Sequence, residues 1–403
     1  MNFSKSQLII IGILATIIIA IVLIASGIIG RRPASEKAEL TFWGIEKADY
    51  FADAIKEFEG SHRGNTIVYK RIEEANYEKE LIDALAAGNG PDIFMFGSRW
   101  LPRHSNKISA APEEKITASQ FNNLFPQVAE EDFTMDGSVY ALPLYMDTLA
   151  LYYNRDTFDR LSIPLPPRTW DDFKGLILIK KASASFGGYA PLVTRSADIM
   201  SALLMQSGAD LDLRNKNFVR LVSEAGENAL DFYIQFSAPK EESVAAFAGE
   251  RTSMIFGYHS DRASIMEKNP FLNLGVAALP QFYSSSPVVP ARYYGLAVSA
   301  KSQYKNLAWD IIMYMATDND VADGFAKNGS HPPALRSLIQ KYSDDSALGV
   351  FAKQALIARS WFEPDDREVV NILNDMIKSA ISSRVSRPAL QTAEDKINRL
   401  ISK

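Results

Sequence analysis

Aromatic and charged side chains follow the predicted carboxyl ends of several strands. Trp43 ends the first apolar run, Arg99 and Trp100 follow the third, and Asp147 precedes a dense run of Leu and Tyr. Flat aromatic rings can cover the apolar C–H faces of a sugar, while carboxylates and guanidinium groups hydrogen-bond to hydroxyl groups. Ligands of open α/β sheets bind beyond the carboxyl ends of the strands. This pattern predicts a cleft for a small polar solute.

Several catalytic chemistries have no support in the sequence. The chain has 0 cysteines, which removes disulfides, thiolate metal sites and cysteine nucleophiles. The four histidines are far apart and form no HExxH pattern, and no nucleophile elbow or P-loop occurs. We therefore predict no catalytic residue, no metal and no cofactor. The net charge of −5 gives no indication of a nucleic-acid partner.

The first globular stretch alternates strands and helices. Residues 39–43, 66–72 and 92–96 have strand-like patterns, and the two segments between them have apolar residues at helical spacing. A β-α-β-α-β order predicts a mainly parallel sheet with helices on both faces.

The sequence pattern in the second part of the chain predicts a strand that crosses between lobes, followed by further helices and strands. Residues 140–158 have the pattern of one long strand that could pass from one lobe to another, and Thr169 with Asp172 resembles a capping box that opens a helix. Further helices are predicted at 196–206, 217–236, 242–248 and 304–317, and further strands at 252–256, 274–279 and 294–299.

The chain begins with an uncharged apolar segment. Residues 8–29 would span about 33 Å as a helix, which is enough to cross a bilayer core of about 30 Å. We interpret residues 1–7 as a tail, 8–29 as a retained transmembrane anchor and 30–38 as a linker. A cleaved signal peptide is the alternative, with a small-residue site at 24–27. Lys5 on one side and Arg31 and Arg32 on the other leave the orientation undecided by charge.

Six segments occur in the order found in one protein family. They are LTFWG at 40–44, GNGPDI at 88–93, YALPLYMDTLALYYNRD at 140–156, GERTSMIFG at 249–257, LGVAALP at 274–280 and YGLAVSAKS at 294–302. On these segments the chain resembles bacterial extracellular solute-binding proteins of the maltose-binding type. The resemblance extends from about residue 39 to residue 403.

The resemblance implies an α/β, two-lobed periplasmic-binding-protein fold with a ligand cleft between the lobes, here preceded by the N-terminal transmembrane helix. We expect residues 39–147 plus 281–328 in the N-terminal lobe and 148–280 plus 329–403 in the C-terminal lobe. Hinge closure around the ligand would be the working motion.

The resemblance also suggests site residues. Phe96 matches a sugar-stacking aromatic residue, Asp147 an acidic sugar ligand, and Tyr258 a position where the family often has Trp. The charged contact after the first strand has no clean match, although Glu46 and Lys47 lie nearby. A family stacking position falls near Val369, where Trp361 could substitute from the preceding loop. The candidate substrate-binding residues are Trp43, Phe96, Arg99, Trp100, Asp147, Tyr258, Tyr294 and Trp361.

The tyrosine pairs Tyr152-Tyr153 and Tyr293-Tyr294 have a second interpretation. Iron-binding relatives hold ferric ion with phenolates, but strand alternation places the two members of each pair on opposite faces, which favours packing.

The function implied is that of a non-catalytic receptor. It would capture a small polar solute, an oligosaccharide, outside the cell membrane and deliver it to the permease subunits of an ABC importer, held at the membrane by its single N-terminal helix. The alternatives are an anchored surface enzyme acting on glycosides, and a sensor or adhesion protein that uses the same fold.

Overall fold

The computed structural model describes residues 38–181, 196–211, 218–235, 244–282, 287–329, 331–361 and 363–401. In these ranges no helix is long and apolar enough to cross a membrane. The predicted tail, anchor and most of the predicted linker lie outside the described residues.

The structure is built from short strands and helices that alternate along the chain. The strands are β1 (Glu39–Gly44), β2 (Thr66–Arg71), β3 (Ile93–Gly97), β4 (Ile108–Ser109), β5 (Thr134–Met135), β6 (Ser138–Val139), β7 (Ala141–Pro143), β8 (Asp147–Thr148), β9 (Ala150–Asn154), β10 (Met254–Gly257), β11 (Leu274–Ala278), β12 (Val289–Arg292), β13 (Tyr294–Ser299) and β14 (Ala358–Arg359).

The helices are numbered separately. They are α1 (Ala48–Ser61), α2 (Glu74–Ala87), α3 (Leu101–His104), α4 (Ala118–Leu124), α5 (Gln127–Phe133), α6 (Arg155–Arg160), α7 (Trp170–Lys181), α8 (Ser196–Gln206), α9 (Glu224–Ile234), α10 (Val244–Ala248), α11 (Asp261–Lys268), α12 (Lys305–Thr317), α13 (Asn319–Gly329), α14 (Arg336–Tyr342), α15 (Gly349–Ala355), α16 (Asp366–Ser383) and α17 (Ser386–Ile401).

The first sheet has the order β2-β1-β3-β13-β4, with β7 also paired to β13. Strands β1, β2 and β3 are parallel, as the β-α-β-α-β pattern predicts. Strand β13 runs antiparallel to β3, β4 and β7. The sheet is therefore mixed rather than mainly parallel, because β13 enters it from the far part of the chain instead of through a β-α-β unit.

The second sheet consists of β10, β9 and β11, with β9 in the centre and antiparallel to both neighbours. The prediction of one long strand over 140–158 is wrong in detail, because this segment divides into β7, β8, β9 and α6. Asn154 ends the last strand, since its side chain accepts a hydrogen bond from the backbone N–H of Thr157 and caps α6. The segment still passes from the first sheet to the second.

Strands β8, β12 and β14 form a third sheet, and β8 and β12 lie where the chain passes between the other two sheets. The chain leaves the first sheet through β8, the outgoing segment, and returns to it through β12, the returning segment. The two strands pair antiparallel, which places Asp147 opposite Arg292 and Thr148 opposite Ala291. Strand β14 joins the other edge of β12. We call β8 and β12 the crossing strands.

Local signals predicted several elements well. Thr169 and Asp172 form the expected reciprocal bonds at the start of α7, and α8 has its predicted bounds. Helix α9 is shorter than predicted, because the side chain of Ser223 caps its start. Helix α10 begins at Val244, and strand β10 begins two residues later than predicted.

Gly295 is required where β13 passes between β7 and β3. A Cβ atom at this position would lie 2.7 Å from the carbonyl oxygen of Leu142 and 2.8 Å from the Phe133 ring. Gly295→Ala should therefore lower the free energy of unfolding by about 1–3 kcal/mol, because the backbone must shift to admit a methyl group.

The matched control is Gly324→Ala in α13, where an added Cβ meets nothing within 4 Å. This change should raise stability by about 0.5–1 kcal/mol through helix propensity. Urea denaturation of both variants checks the pair, and a Gly295→Ala protein as stable as wild type would contradict the close approach.

Candidate functional site

A cavity of about 550 Å³ opens beside the crossing strands. Its wall is formed by residues next to the first sheet (the first-sheet side), residues next to the second sheet (the second-sheet side) and residues of the crossing strands. The lining residues are Ile45, Glu46, Arg71, Glu73, Glu74, Tyr145, Asp147, His259, Ser260, Arg262, Ala263, Arg292, Tyr293, Tyr294 and His331.

The positions of the lining residues follow from the topology. Strands β1 and β2 are parallel neighbours, so Glu46 and Arg71 leave the first sheet at the same edge. His259 and Arg262 follow β10, which belongs to the second sheet. Asp147 and Arg292 face each other on the crossing strands.

Asp147 connects a crossing strand to the start of α11. Its carboxylate accepts hydrogen bonds from the backbone N–H groups of His259 (2.6 Å) and Ser260 (2.9 Å), and the residue is 3% exposed. Burial raises the pKa of Asp147 to about 6, and the backbone hydrogen bonds offset this effect only in part.

Glu46 is held by two ring side chains. The Tyr145 hydroxyl donates to its Oε1 atom at 3.3 Å, and Nε2 of His331 lies 3.5 Å from the same oxygen. The His331 ring stacks on Tyr145 with centroids 4.3 Å apart. Burial acts to raise the pKa of Glu46, but the interactions with His331 and Tyr145 outweigh burial and leave it below the usual value.

His259 is neutral at physiological pH. Burial, assisted by the nearby charges of His331 and Arg262, lowers its pKa to about 4. Its Nε2 atom is buried and forms no hydrogen bond within the described part of the chain. A ligand would reach this nitrogen only after the ring turns toward the cavity that the residue lines.

The predicted site residues occupy different parts of the structure. Asp147 and Tyr294 line the cavity. Tyr258 is 1% exposed and does not line it, whereas the next residue, His259, does. Phe96 and Trp100 are packed in the core against each other, with ring centroids 5.7 Å apart.

Trp43 lies outside the cavity lining. The Lys70 ammonium group lies 4.1 Å from the Trp43 ring centroid, on the neighbouring strand. Ligand contact by this residue, as by the other candidates, stays a prediction.

Arg99 and Trp361 line a separate cavity of about 480 Å³. The Arg99 guanidinium is already committed to ion pairs with Asp198 (3.0 Å) and Glu363 (3.1 Å). Burial raises the pKa of Glu363 to about 7, although Arg99 acts in the opposite direction. This cluster joins the loop after β3 to residues from α8 and from the segment before α16.

Sequence reasoning missed most of the charged wall. The sequence places Glu46 near the site without fixing its register, and it does not indicate the lining residues Arg71, Tyr145, Arg262, Arg292 and His331. A usable signal exists for Arg71, because it ends the strand that follows β1, but Arg292 requires knowledge of the β8–β12 pairing.

Two of the paired tyrosines use their hydroxyl groups in hydrogen bonds within the protein. Tyr293 donates to Asp132 at 2.6 Å, and Tyr152 donates to the carbonyl of Tyr258 at 2.9 Å. Packing and hydrogen bonding account for Tyr293.

The raised pKa of Asp147 makes a prediction about stability. The folded state binds the proton more tightly than the unfolded state, so Asp147 contributes stability at low pH that is lost as the pH rises through about 6. Between pH 7.5 and pH 5, wild type should gain about 1.5 kcal/mol relative to Asp147→Asn.

Urea denaturation of both proteins without ligand checks this difference. Glu363 is present in both proteins and cancels. A difference that does not change with pH, or that changes in favour of the Asn variant at pH 5, would mean that the pKa of Asp147 is not raised.

Relatives share this architecture at low sequence identity. A binding protein of Brucella abortus (strain 2308) is 23% identical over 342 residues, covering 80% of this chain and 81% of its own length. The diacetylchitobiose binding protein DasA of Streptomyces coelicolor is 24% identical over 336 residues, with 78% of each chain covered. The crystal structure of a cyclic α-maltosyl-1,6-maltose binding protein from Arthrobacter globiformis superposes with a TM-score of 0.79 at 18% identity, covering 90% of this chain and 99% of that one.

The family assignment rests on most of the chain. Residues 44–321 match the family described as bacterial extracellular solute-binding protein. The α/β fold and the predicted resemblance are thereby confirmed, as is the prediction that the chain is a binding protein rather than an enzyme. The chain belongs to the bacterial extracellular solute-binding protein family.

Proposed function

We propose that the protein binds an oligosaccharide in the cavity beside the crossing strands and passes it to an ABC importer. The observation that carries this proposal is Asp147, which faces the cavity and bonds to the backbone at the start of α11. A ligand at this point touches residues from both sheets at once.

The size and lining of the cavity fit a small saccharide. Its volume of about 550 Å³ lies within the usual range of about 300–1,000 Å³ for small-molecule pockets. Glu46, Asp147 and His259 offer hydrogen-bonding groups for hydroxyls, and Tyr294 offers an aromatic face. Two of the similar proteins are named for the ligands that they bind, diacetylchitobiose and cyclic α-maltosyl-1,6-maltose, and both ligands are oligosaccharides.

We propose that closure occurs about the crossing strands. The outgoing and returning segments pair here through only two residue pairs, Asp147 with Arg292 and Thr148 with Ala291. Residues 39–147 plus 281–328 would move against 148–280 plus 329–403, and a bound solute would favour the closed arrangement because it contacts both.

We further propose that residues 8–29 stay in the chain as an anchor, with the soluble domain outside the cell membrane. The family is extracellular by description, and the apolar run is longer than the roughly 15 residues of a secretory h-region. Permease subunits of the importer would then be within reach of a tethered receptor.

Saccharide binding should raise the melting temperature. With wild-type protein and a panel of malto-, chito- and galacto-oligosaccharides at millimolar concentration, at least one series should stabilise the fold by about 2–3 kcal/mol at a hundredfold excess over Kd. Calorimetry should show that Glu46→Gln weakens that binding about tenfold, because a charge-assisted hydrogen bond is lost.

Glu80→Gln is the matched control, since Glu80 is an exposed carboxylate on α2 that does not line the cavity. It should bind as wild type does. Absence of any shift with this panel and with acidic oligosaccharides alike would overturn the saccharide proposal, and equal weakening by both variants would remove Glu46 from the site.

The anchor proposal predicts that the full chain sediments with membranes and stays there after a high-salt wash, whereas residues 38–403 alone stay in the soluble fraction. Intact mass of the membrane-bound protein distinguishes a retained anchor from a cleaved signal peptide. A mature chain that begins near residue 28 would contradict retention.

A further inference from the structure

Two arginines line the cavity without a charged partner. Arg262 lies in the first turn of α11, and Arg292 lies on the crossing strand β12. Within the described ranges neither side chain forms an ion pair or a hydrogen bond. By contrast, Arg71 pairs with Glu73 at 3.0 Å, and Arg99 pairs with two carboxylates. Arg262 is half-buried and Arg292 is exposed. Because neither is paired, both guanidinium groups beside the cavity are available to a ligand.

The carboxylates of the cavity are directed to other groups. Asp147 is the cross-strand neighbour of Arg292, yet its oxygens accept from the backbone of His259 and Ser260. Glu46 accepts from Tyr145 and lies beside His331.

The remaining acidic side chains of the lining, Glu73 and Glu74, are both exposed. Glu73 pairs with Arg71. Glu74 is exposed in the first turn of α2, where the helix N-terminus favours negative charge without any ligand. The positive charges of Arg262 and Arg292 are thus left uncompensated by direct contacts.

A buried ring nitrogen close to Arg262 also lacks a hydrogen-bond partner. His259 is 7% exposed, lines the cavity, and has its Nε2 atom buried without a hydrogen-bond partner in the described part of the chain. An unpartnered buried polar atom costs about 1–3 kcal/mol, so a ligand group that bonds to it would gain that stabilisation. His259 lies three residues before Arg262.

We propose that the bound saccharide is acidic, with an anionic group held by the guanidinium groups of Arg262 and Arg292. The shared chemistry is an oxyanion with two or three equivalent oxygens, as in a uronic acid carboxylate, a sulfate or a phosphate. The planar fork of arginine matches such groups bidentately. This inference rests on the proposed saccharide function and specifies its substrate class.

The test compares matched pairs of ligands on the full chain in detergent solution. Galactobiose is set against digalacturonate, and cellobiose against its uronic acid, 6-sulfate and 6-phosphate derivatives. Calorimetry gives Kd for each. At least one acidic member should bind about tenfold or more tightly than its neutral partner, and its affinity should fall between 50 and 500 mM salt. The carboxylate, sulfate and phosphate arms identify which oxyanion is recognised.

Four variants assign the effect to residues. Arg262→Gln and Arg292→Gln should each weaken the acidic ligand about tenfold while changing the neutral one less than about threefold. Glu74→Gln, which removes a negative charge from the same cavity, should leave acidic binding as tight or tighter. Arg63→Gln, an exposed arginine outside the cavity, should bind as wild type does.

The outcomes separate the two proposals. Neutral sugars that bind as tightly as their acidic partners, or arginine variants that weaken both series equally, would overturn the acidic-ligand inference and leave saccharide binding intact. No binding of any member of either series would overturn the saccharide function itself, and the present inference with it.

Discussion

The pairing of the two crossing strands is the constraint on which the rest of the structure depends. The chain passes between its two main sheets at β8 and returns at β12, and these strands share a single short antiparallel contact. A buried carboxylate at this contact must be hydrogen-bonded, because burying an unpartnered charge costs several kcal/mol. Asp147 meets that demand with backbone N–H groups of the second-sheet side. The same residue therefore lies on a crossing strand, lines the cavity and bonds to the backbone just before α11.

Buried side-chain amides hold each crossing segment on the second-sheet side. Gln354 donates to Thr148 and to the carbonyl of Leu149, and accepts from the backbone of Leu279. Gln206 accepts from the Trp170 indole N–H and donates to the carbonyls of Pro280 and Val288.

The first-sheet side holds the returning segment by other means. Tyr293 bonds to Asp132, and its carbonyl accepts from the backbone N–H of Ser98. The returning segment is thus held at both ends. In the closure proposed above, rotation would occur in the few residues between, since small changes over a few residues are enough.

A second connection between the two sides is ionic. Arg99, from the loop after β3, bridges Asp198 of α8 and Glu363, and all three side chains are at most 10% exposed. Arg103 of α3 reaches Glu78 at 2.8 Å and also pairs with Asp366 of α16. Removing one member of such a buried cluster leaves an uncompensated charge, which typically costs about 3–5 kcal/mol. The cluster therefore constrains which relative positions of the two sides are stable.

Local sequence signals predicted the helices and strands well. The features that depend on strand pairing between distant parts of the chain could not be predicted from them. The Thr169–Asp172 cap and the bounds of α8 depend on neighbours in sequence, so they could be predicted. Phe96 ends a strand, as predicted, but that strand lies between β1 and β13 and is buried throughout. Tyr258 and His259 both follow the end of β10, and only the second of them lines the cavity, because the turn after the strand decides which side chain faces it.

The positions of Arg262 and Arg292 depend on tertiary structure in a different way. Arg292 comes next to Asp147 only because the returning segment pairs with the outgoing one, at a separation of 145 residues along the chain. No period or motif in one segment carries that information. The candidate site could therefore be located near Asp147 from the sequence, while the charge of its walls could not.

The distribution of aromatic side chains limits how much ring stacking can contribute to ligand recognition. Phe96 and Trp100 are packed in the core, Trp361 lines a different cavity, and Trp43 lies beside Lys70. The aromatic rings that remain at the cavity are tyrosines, and most of its other side chains are charged or polar. Stacking on flat apolar faces tolerates many sugars, whereas hydrogen bonds to fixed charged groups penalise a ligand that leaves any of them unpaired. Selectivity at this site should therefore come from the pattern of polar groups on the ligand more than from the area of its apolar faces.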